Sequence, residues 1–369
     1  MAKLGLPHLK ITFIERGIAA IQRSERGVVA LVLQDKKVEG NFIVYTTSDI
    51  PEGIDEKNKE QIKLAMMGNR TTPRKLVVAI EKNENADAPK FVTTSPAFKY
   101  LETERFDYLA VPFADVKDSQ EIATWIKTLN DNYEKRCKAV LANTPADNRK
   151  IINYTHEEVS DVEKTYLTTE YTSRIAGLIA GTPPQIATTY ATLPELKTCT
   201  SYTREEIGKK IGKGEFVLLN DGEKIKVARG VNSLITTSEL EGESFRKIKI
   251  VEIMDIIADD VQMTAEDSYL GKYANTYSNK ILLCEAIKGY LEKLELENLI
   301  NPGHTEVGID VEAQKAYLRG IGYRTNDNRN VDEMEVQEIK EADTKDQVFI
   351  MIKCKILDAI EEINIRAFI

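Results

Sequence analysis

The decisive stretch is Gly27-Val28-Val29-Ala30-Leu31-Val32-Leu33-Gln34-Asp35, in which six apolar residues follow one another without a polar interruption. A strand that is apolar at every position, and not only at every second one, is typical of a sheet covered on both faces. Gly27 and Asp35 bound the run at a length that suits a strand. We therefore expect a fully buried strand here.

Strand-like and helix-like runs alternate from this stretch to about residue 145. The predicted strands are Asn41–Tyr45, Leu76–Ile80, Phe106–Val111 and Lys138–Ala142. The predicted helices are 55–67 and a segment with a capping box at Asp118 and Glu121, along which Ile122, Ile126, Leu129, Tyr133 and Cys137 recur at three- and four-residue spacing. This alternation predicts an α/β fold with a parallel-rich sheet flanked by helices.

The second half of the chain has different patterns, which predict an α+β arrangement of mixed helices and strands. Its expected elements are a short helix of small residues at 168–181 ended by Pro183-Pro184, a β-hairpin at 216–227 that turns at Asn220-Asp221-Gly222, a helical block from Phe245 to about Leu299, and an alternating strand at Val348–Ile356. The hairpin rests on the turn, because Asp-Gly suits a left-handed backbone conformation.

Both ends of the chain are apolar at alternate positions, whereas chain ends are usually polar unless they are held in place. The residues concerned are Leu9, Ile11 and Phe13 near the start and Ile363, Ile365, Ala367 and Ile369 at the end. Each end either joins the sheet of its own chain or forms an arm that adds a strand to a neighbouring copy. With arms, the chain divides into an amino-terminal arm (1–22), an α/β domain (23–150), a mixed assembly domain (151–356) and a carboxyl-terminal arm (357–369).

Composition excludes several classes of protein. The chain has 369 residues and a net charge of −9, which argues against a dedicated nucleic-acid binder because such proteins need clustered Lys and Arg. No stretch reaches the ~20 apolar residues of a membrane-spanning helix, and the start lacks the apolar core of a secretory signal. We expect a soluble protein that is neither exported nor inserted in a membrane.

The residues that usually carry catalysis are few and scattered. Gly208–Gly214 is the sole glycine-lysine cluster, but it lacks the spacing and the hydroxyl of a phosphate-binding loop, and a surface turn explains it better. His304 has no second histidine at helical spacing, and the four cysteines lie far apart in sequence. The acidic pair Asp259-Asp260 and the tract from Asp332 are read as solvated faces. The sequence thus predicts no catalytic residue, no metal ligand, no cofactor site and hence no enzyme.

Several strings, in their order and spacing, resemble the contractile tail sheath proteins of long-tailed bacteriophages and of phage-like particles of Gram-positive bacteria, such as R-type bacteriocins and defective prophages. They are Gly17–Ile21 with Arg26-Gly27-Val28, Ala176–Pro183 with Thr188-Thr189-Tyr190, Val227–Leu234, and Asp267–Asn275 with Asn279-Lys280. The resemblance covers almost the whole chain and is weakest from about residue 35 to residue 150.

This resemblance implies a structural protein whose copies stack as hexameric rings into a helical sleeve around an inner tube protein. The sleeve contracts to drive the tube through a target cell envelope, and terminal arms lace neighbouring subunits together. The implied partners are other copies of the chain, the inner tube, and baseplate and tail terminator proteins, with no direct nucleic-acid contact. The implied location is a virion tail or phage-like particle that is assembled in the bacterial host cytoplasm.

Two other functions remain compatible with the residues alone: a cytosolic α/β nucleotide-utilising enzyme, and a cytosolic scaffold unrelated to phages. Because the glycine-lysine cluster fails as a phosphate-binding loop, we expect no ATP turnover by the purified protein. Phosphate release well above that of a mock preparation would restore the enzyme hypothesis, whereas a protein that stays monomeric at high concentration would favour the scaffold.

Overall fold

The structure, a computed structural model, describes residue 21 and residues 26–85 and 88–367. The predicted arm residues Leu9, Ile11, Phe13 and Ile369 lie outside the described residues. The described chain forms two compact units. The smaller unit contains Ile21, Asp260–Leu296 and Asn301–Lys355, and the larger unit contains the described residues from Arg26 to Asp259, Glu297–Ile300 and the residues from Ile356.

A seven-stranded sheet forms the centre of the larger unit. Its strands are β1 (Val28–Asp35), β2 (Gly40–Val44), β3 (Lys75–Lys82), β4 (Tyr108–Ala110), β5 (Lys138–Ala142), β6 (Ile151–Tyr154) and β10 (Glu215–Phe216). They lie in the order β10-β6-β5-β4-β1-β3-β2, and each pairing is parallel except that of β2 with β3. β1 is buried at all eight positions, which confirms the prediction from its apolar run.

Helices cover both faces of this sheet. They are α1 (Glu56–Met66), α2 (Pro96–Thr103), α3 (Val116–Tyr133) and α4 (Thr172–Ala180), while α5 (Arg204–Gly212) lies beside the edge strand β10. Alternate residues of β1 point to opposite sides, so that Val29, Leu31 and Leu33 share a core with α1 and α4. The other side of the strand packs in a second core with α2 and α3. The predicted α/β architecture is therefore confirmed.

Helix α4 approaches α1 so closely that only glycine fits at the contact. A Cβ atom added at Gly177 would lie 2.0 Å from the backbone oxygen of Ala65, and one at Gly181 would lie 2.1 Å from that of Thr71. These distances are far below any van der Waals contact. The small residues of the predicted helix at 168–181 thus permit the close packing that the sequence indicates.

The larger unit also contains two small sheets. Strands β7 (Glu158–Ser160), β8 (Thr165–Leu167) and β9 (Thr198–Cys199) form one, and β11 (Leu218–Asn220) and β12 (Ile225–Val227) form the other. The second is the predicted hairpin, and Gly222 adopts the expected left-handed conformation with φ +96°. The prediction extended it too far, because Phe216 belongs to β10 and pairs with Tyr154 in the main sheet.

The predicted boundary at residue 150 does not coincide with a division of the structure. Strands β5 and β6 lie on either side of this position and pair directly, from Ala139 with Ile151 to Ala142 with Tyr154. A cut at residue 150 would therefore separate neighbouring strands of one sheet.

The smaller unit contains the part of α6 (Ile248–Ser268) that begins at Asp260. Its other elements are α7 (Tyr277–Leu296), β13 (Glu306–Ile309), α8 (Val311–Gly320), α9 (Val336–Glu341) and β14 (Ile350–Lys353). The predicted helical block is thus two helices, because a turn with Gly271 at φ +72° separates them. β13 and β14 pair as an antiparallel two-stranded sheet. This part has the mixed character that the sequence predicts.

Two local predictions were wrong. Helix α3 begins three residues before the proposed capping box, because the Asp115 carboxylate accepts the backbone N–H of Asp118. The glycine-lysine cluster is mainly the end of a helix, since Gly208 and Gly212 both lie in α5, and the predicted turn is limited to Lys213-Gly214. A capping box formed by Thr203 and Glu206 starts α5 and outweighs the low helix propensity of glycine.

A network of charged side chains fixes the first turns of α6 against the sheet. Glu252, Asp255 and Asp259 recur at spacings of three and four residues and therefore share one face of the helix. Glu252 accepts from Arg26 at 2.8 Å and from Lys138 at 2.8 Å. All these side chains are at least four-fifths buried.

Asp255 and Asp259 make the remaining ion pairs of the network. Asp255 binds Lys138 at 2.6 Å and Lys150 at 2.5 Å. Asp259 binds Arg26 at 2.5 Å, Arg136 at 3.0 Å and Arg105 at 3.3 Å. Burial raises the pKa of Glu252, but Arg26 and Lys138 outweigh this effect and hold its pKa well below the usual range. The carboxylate therefore stays charged inside the larger unit.

The interpretation of Asp259-Asp260 as a solvated helix face was thus wrong. Asp259 is surrounded by three arginines, and Asp260 is fully buried, with one carboxylate oxygen 2.5 Å from the Tyr290 hydroxyl group, which donates to it. The tract from Asp332 agrees with its prediction, because Asp332 is exposed and pairs with the exposed Arg319.

Removal of one carboxylate from the network is expected to destabilise the protein strongly. Glu252→Gln leaves Arg26 and Lys138 buried with one counter-charge fewer, and such a change lowers the free energy of unfolding by about 3–5 kcal/mol. Urea denaturation measures the loss, and Glu266→Gln on the exposed face of the same helix is the matched control. Equal midpoints for the two variants would contradict a stabilising role of the network.

A buried histidine gives a second prediction. The Nδ1 atom of His156 accepts the backbone N–H of Leu218 at 3.3 Å, and the side chain is fully buried. Burial, followed by the charge of Lys210, lowers the pKa of His156 to about 4. Because its ordinary pKa is about 6.5, the unfolded chain binds the proton more readily, so stability is present above pH ~6.5 and is lost as the pH falls toward ~4.

The variant His156→Asn keeps a hydrogen-bond acceptor but cannot be protonated in this range. Between pH 7 and pH 5 we expect the wild-type protein to lose about 1–2 kcal/mol more unfolding free energy than the variant. Urea midpoints at the two pH values check this, and parallel losses in both proteins would show that His156 is not responsible.

Candidate functional site

The carboxyl-terminal segment, residues 356–367, is the candidate site, because it contains the described residues of the predicted arm. It begins beside the chain of the larger unit, where Ile356 forms an isolated antiparallel bridge with Ile300. The backbone N–H of Leu357 then donates to the oxygen of Leu299 at 2.9 Å. Beyond this point the segment has no strand partner among the described residues.

Glu361 holds the segment to the larger unit. Its carboxylate accepts hydrogen bonds from the Thr189 hydroxyl group at 2.5 Å and from the Arg229 guanidinium group at 2.8 and 3.1 Å. The ammonium group of Lys247 lies 3.2 Å away and also binds Asp358. We call Glu361 with Thr189, Arg229 and Lys247 the Glu361 anchor.

The charges of the anchor are matched to one another. Burial disfavours the charged form of Glu361, but the hydrogen bonds from Thr189 and Arg229 and the charge of Lys247 outweigh it and lower the pKa. The pKa of Arg229 is raised, mainly because its side chain donates to Glu361. Each group therefore stabilises the ionised state of its partner near neutral pH.

The anchor is a point contact and not part of a packed interface. A cavity of about 880 Å³ is lined by residues of the body, among them Gln185, Tyr190 and Lys249, and by Leu357–Glu361 and Ile363 of the segment. A segment that spans such a space gains little from apolar burial. Its position therefore depends on the backbone contact at residue 357 and on the charged contacts of Asp358 and Glu361.

The predicted arm residues lie beyond the anchor. Ile363 and Ile365 expose 75% and 85% of their surface, and Ala367 is exposed as well. Glu362, Asn364 and Arg366, on the alternate positions, are also exposed. In the described chain, residues 363–367 make no hydrogen bond to the rest of the molecule. The side chains of residues 363–367 are thus presented to solvent in the described part of the chain.

The sequence interpretation missed the anchor, although two of the strings that carried the resemblance meet there. Thr189 belongs to Thr188-Thr189-Tyr190 and Arg229 to Val227–Leu234, and the Thr189 hydroxyl group also accepts the backbone N–H of Gly230 at 3.0 Å. These strings are 40 residues apart in sequence, so only the fold reveals that they hold one carboxylate.

The remaining chemical candidates do not form a site. His304 lies in an exposed turn, and among the described residues no three His, Cys, Asp or Glu side chains are grouped as a metal ion would require. All four cysteines are free thiols, and burial raises the pKa of Cys137 to about 12. None of the helices in the described ranges has the length and apolar composition needed to cross a bilayer.

Comparison with known proteins decides the family. Residues 81–233 match the phage tail sheath protein central domain, and residues 241–369 match the phage tail sheath C-terminal domain. This chain belongs to the phage tail sheath family. It is 37% identical to the tail sheath protein of Clostridium phage phiCD119 over 363 residues, which cover 98% of this chain and 99% of that protein.

Solved structures of sheath proteins share the fold. The sheath tail protein of Desulfitobacterium hafniense matches with a TM-score of 0.66 and 16% identity over 82% of this chain and 94% of that one. The anti-feeding prophage helical sheath in its contracted state matches with a TM-score of 0.68 and 12% identity over 99% of both chains. The resemblance noted in the sequence is confirmed. The chain is a tail sheath protein of a contractile system, a phage tail component and a structural protein, not an enzyme.

Proposed function

We propose that this tail sheath protein polymerises as stacked hexameric rings around an inner tube and contracts to drive the tube through a target envelope. Its amino- and carboxyl-terminal arms add strands to neighbouring subunits and keep them joined. The observation that carries the arm proposal is the exposure of the apolar side chains in the carboxyl-terminal segment, where Ile363 and Ile365 leave 75% and 85% of their surface uncovered by the described residues. Leu9, Ile11, Phe13 and Ile369 complete the proposed strands.

Strand addition supplies enough free energy to hold such a polymer together. A five-residue strand makes about four or five backbone hydrogen bonds, each of which contributes ~0.5–1.5 kcal/mol. Burial of Ile363 and Ile365, together about 3–6 kcal/mol, adds to this in each neighbour contact. Because every copy offers the same arms, the contact repeats throughout the assembly.

The sheet of β13 and β14 is a suitable receiver in the neighbouring copy. Among the described residues it has two strands, and an isolated pair of strands is marginally stable in water. Its residues Val307, Met351 and Ile352 are only half-buried, so an added strand would cover apolar surface as well as unpaired backbone groups.

Contraction then requires no nucleotide. The extended sleeve is a kinetically trapped arrangement that falls to a better-packed one, while the arms keep the subunits connected. Charge complementarity between subunit bodies helps to select the contracted packing. The partners in this proposal are the inner tube, the baseplate and the tail terminator, and assembly takes place in the bacterial host cytoplasm.

Deletion of Asn364–Ile369 tests the arm proposal. The truncated protein is expected to fold, because its described residues 364–367 make no hydrogen bond to the body, but to remain monomeric since the strand is missing. Negative-stain microscopy and sedimentation measure the result, with the full chain as the reference. Tubes of normal length formed by the truncated protein would refute a lacing role for this arm.

A further inference from the structure

We propose that the Glu361 anchor is the fixed root of the carboxyl-terminal arm: residues up to 361 stay on their own body in the assembly, and only 362–369 reach a second copy of this chain. The proposal rests on the arm function above and specifies its geometry. It shortens the predicted arm, which began at residue 357, to eight residues.

The contrast between two adjacent glutamates marks the root. The Glu361 side chain exposes only 8% of its surface and has four polar contacts to three residues of the body. Glu362 exposes 78%, and its sole ion pair in the described chain is a 3.6 Å contact with Arg229. The change from a buried and closely bound side chain to an exposed one therefore occurs between two adjacent residues.

The anchor is built by the body and not by the arm. Thr189 is held in place by its bond from the Gly230 backbone, and Arg229 and Lys247 flank the same carboxylate from two separate stretches of chain. The Cβ of any other residue at position 230 would lie 2.3 Å from the Thr188 hydroxyl oxygen, so the two stretches are in direct contact. A receptor formed before the segment binds is preorganised for its carboxylate.

Because a cavity lies beneath residues 357–361, the direction in which the arm leaves the body depends on the Glu361 anchor. Because the segment spans this space without close packing, Glu361 and the outer pair of Lys247 with Asp358 are the side-chain contacts that fix where it leaves the body. A free arm of eight residues spans at most about 26–29 Å. A root that is fixed confines the arm to this radius and so raises its effective concentration at a neighbouring copy.

The test compares Glu361→Ala with Glu362→Ala, two neighbouring variants that remove the same charge. We expect the first to accelerate amide hydrogen exchange of Leu357 in the monomer, whose N–H is bonded to Leu299, at least tenfold and to raise the protein concentration needed for polymerisation several-fold. The second is expected to match the wild-type protein in the exchange measurement, because Glu362 is exposed and makes a single 3.6 Å ion pair in the described chain. Arg229→Met, which removes the other half of the anchor, is expected to reproduce Glu361→Ala.

The results separate the root from the arm. If the deletion of Asn364–Ile369 prevents polymerisation while Glu361→Ala leaves both exchange and assembly unchanged, the arm proposal stands and the root proposal is refuted. If the deletion variant polymerises normally, the arm proposal fails whatever the exchange rates are. Unfolding midpoints within a few degrees of the wild type are required for all variants, and Glu361→Gln serves where the alanine variant falls outside this range.

Discussion

The ion pairs between α6 and the amino-terminal ends of the parallel strands are the contacts on which the larger unit depends. Arg26 precedes β1, Lys138 opens β5 and Lys150 precedes β6, so the network collects strand ends that only the sheet brings together. Buried ion pairs add little net free energy compared with apolar packing, but removing one partner of such a pair strongly lowers the free energy of unfolding. Their main effect is to restrict α6 to the one position against the sheet in which every charged side chain has its partner.

The parallel sheet was predictable from sequence because its signal is local and redundant. The run at β1 is apolar at every position, and the strands at 41–45, 76–80 and 138–142 lie within a few residues of the observed ones. Helix ends were less predictable, since Asp115 and Asp118 are both residue types that cap helices and the sequence interpretation chose Asp118, whereas the helix is capped by Asp115. Short strands such as β7, β8 and β9 have two or three residues and too little periodicity to be found.

The candidate site was predictable only in part. Alternation predicts a strand-like end at Ile363, Ile365 and Ala367, and this pattern is visible in the sequence alone, although it leaves open whether the strand joins its own sheet or a neighbouring copy. The anchor can be recognised only in the folded structure. Thr189, Arg229 and Lys247 follow no regular spacing in the sequence and become neighbours through the β11–β12 hairpin and the start of α6. The buried state of Asp259 and Asp260 was missed for the same reason: an acidic pair looks solvated until its cations are placed.

The backbone contact between α1 and α4 has a mechanical meaning. At Gly177 no side chain separates the two helices, so there is no rotamer that a load could change and no gap that it could close. Proteins deform most easily where flexible side chains or cavities lie between elements, and here both are absent. A load applied to either helix would therefore pass to the other at this contact with little compliance.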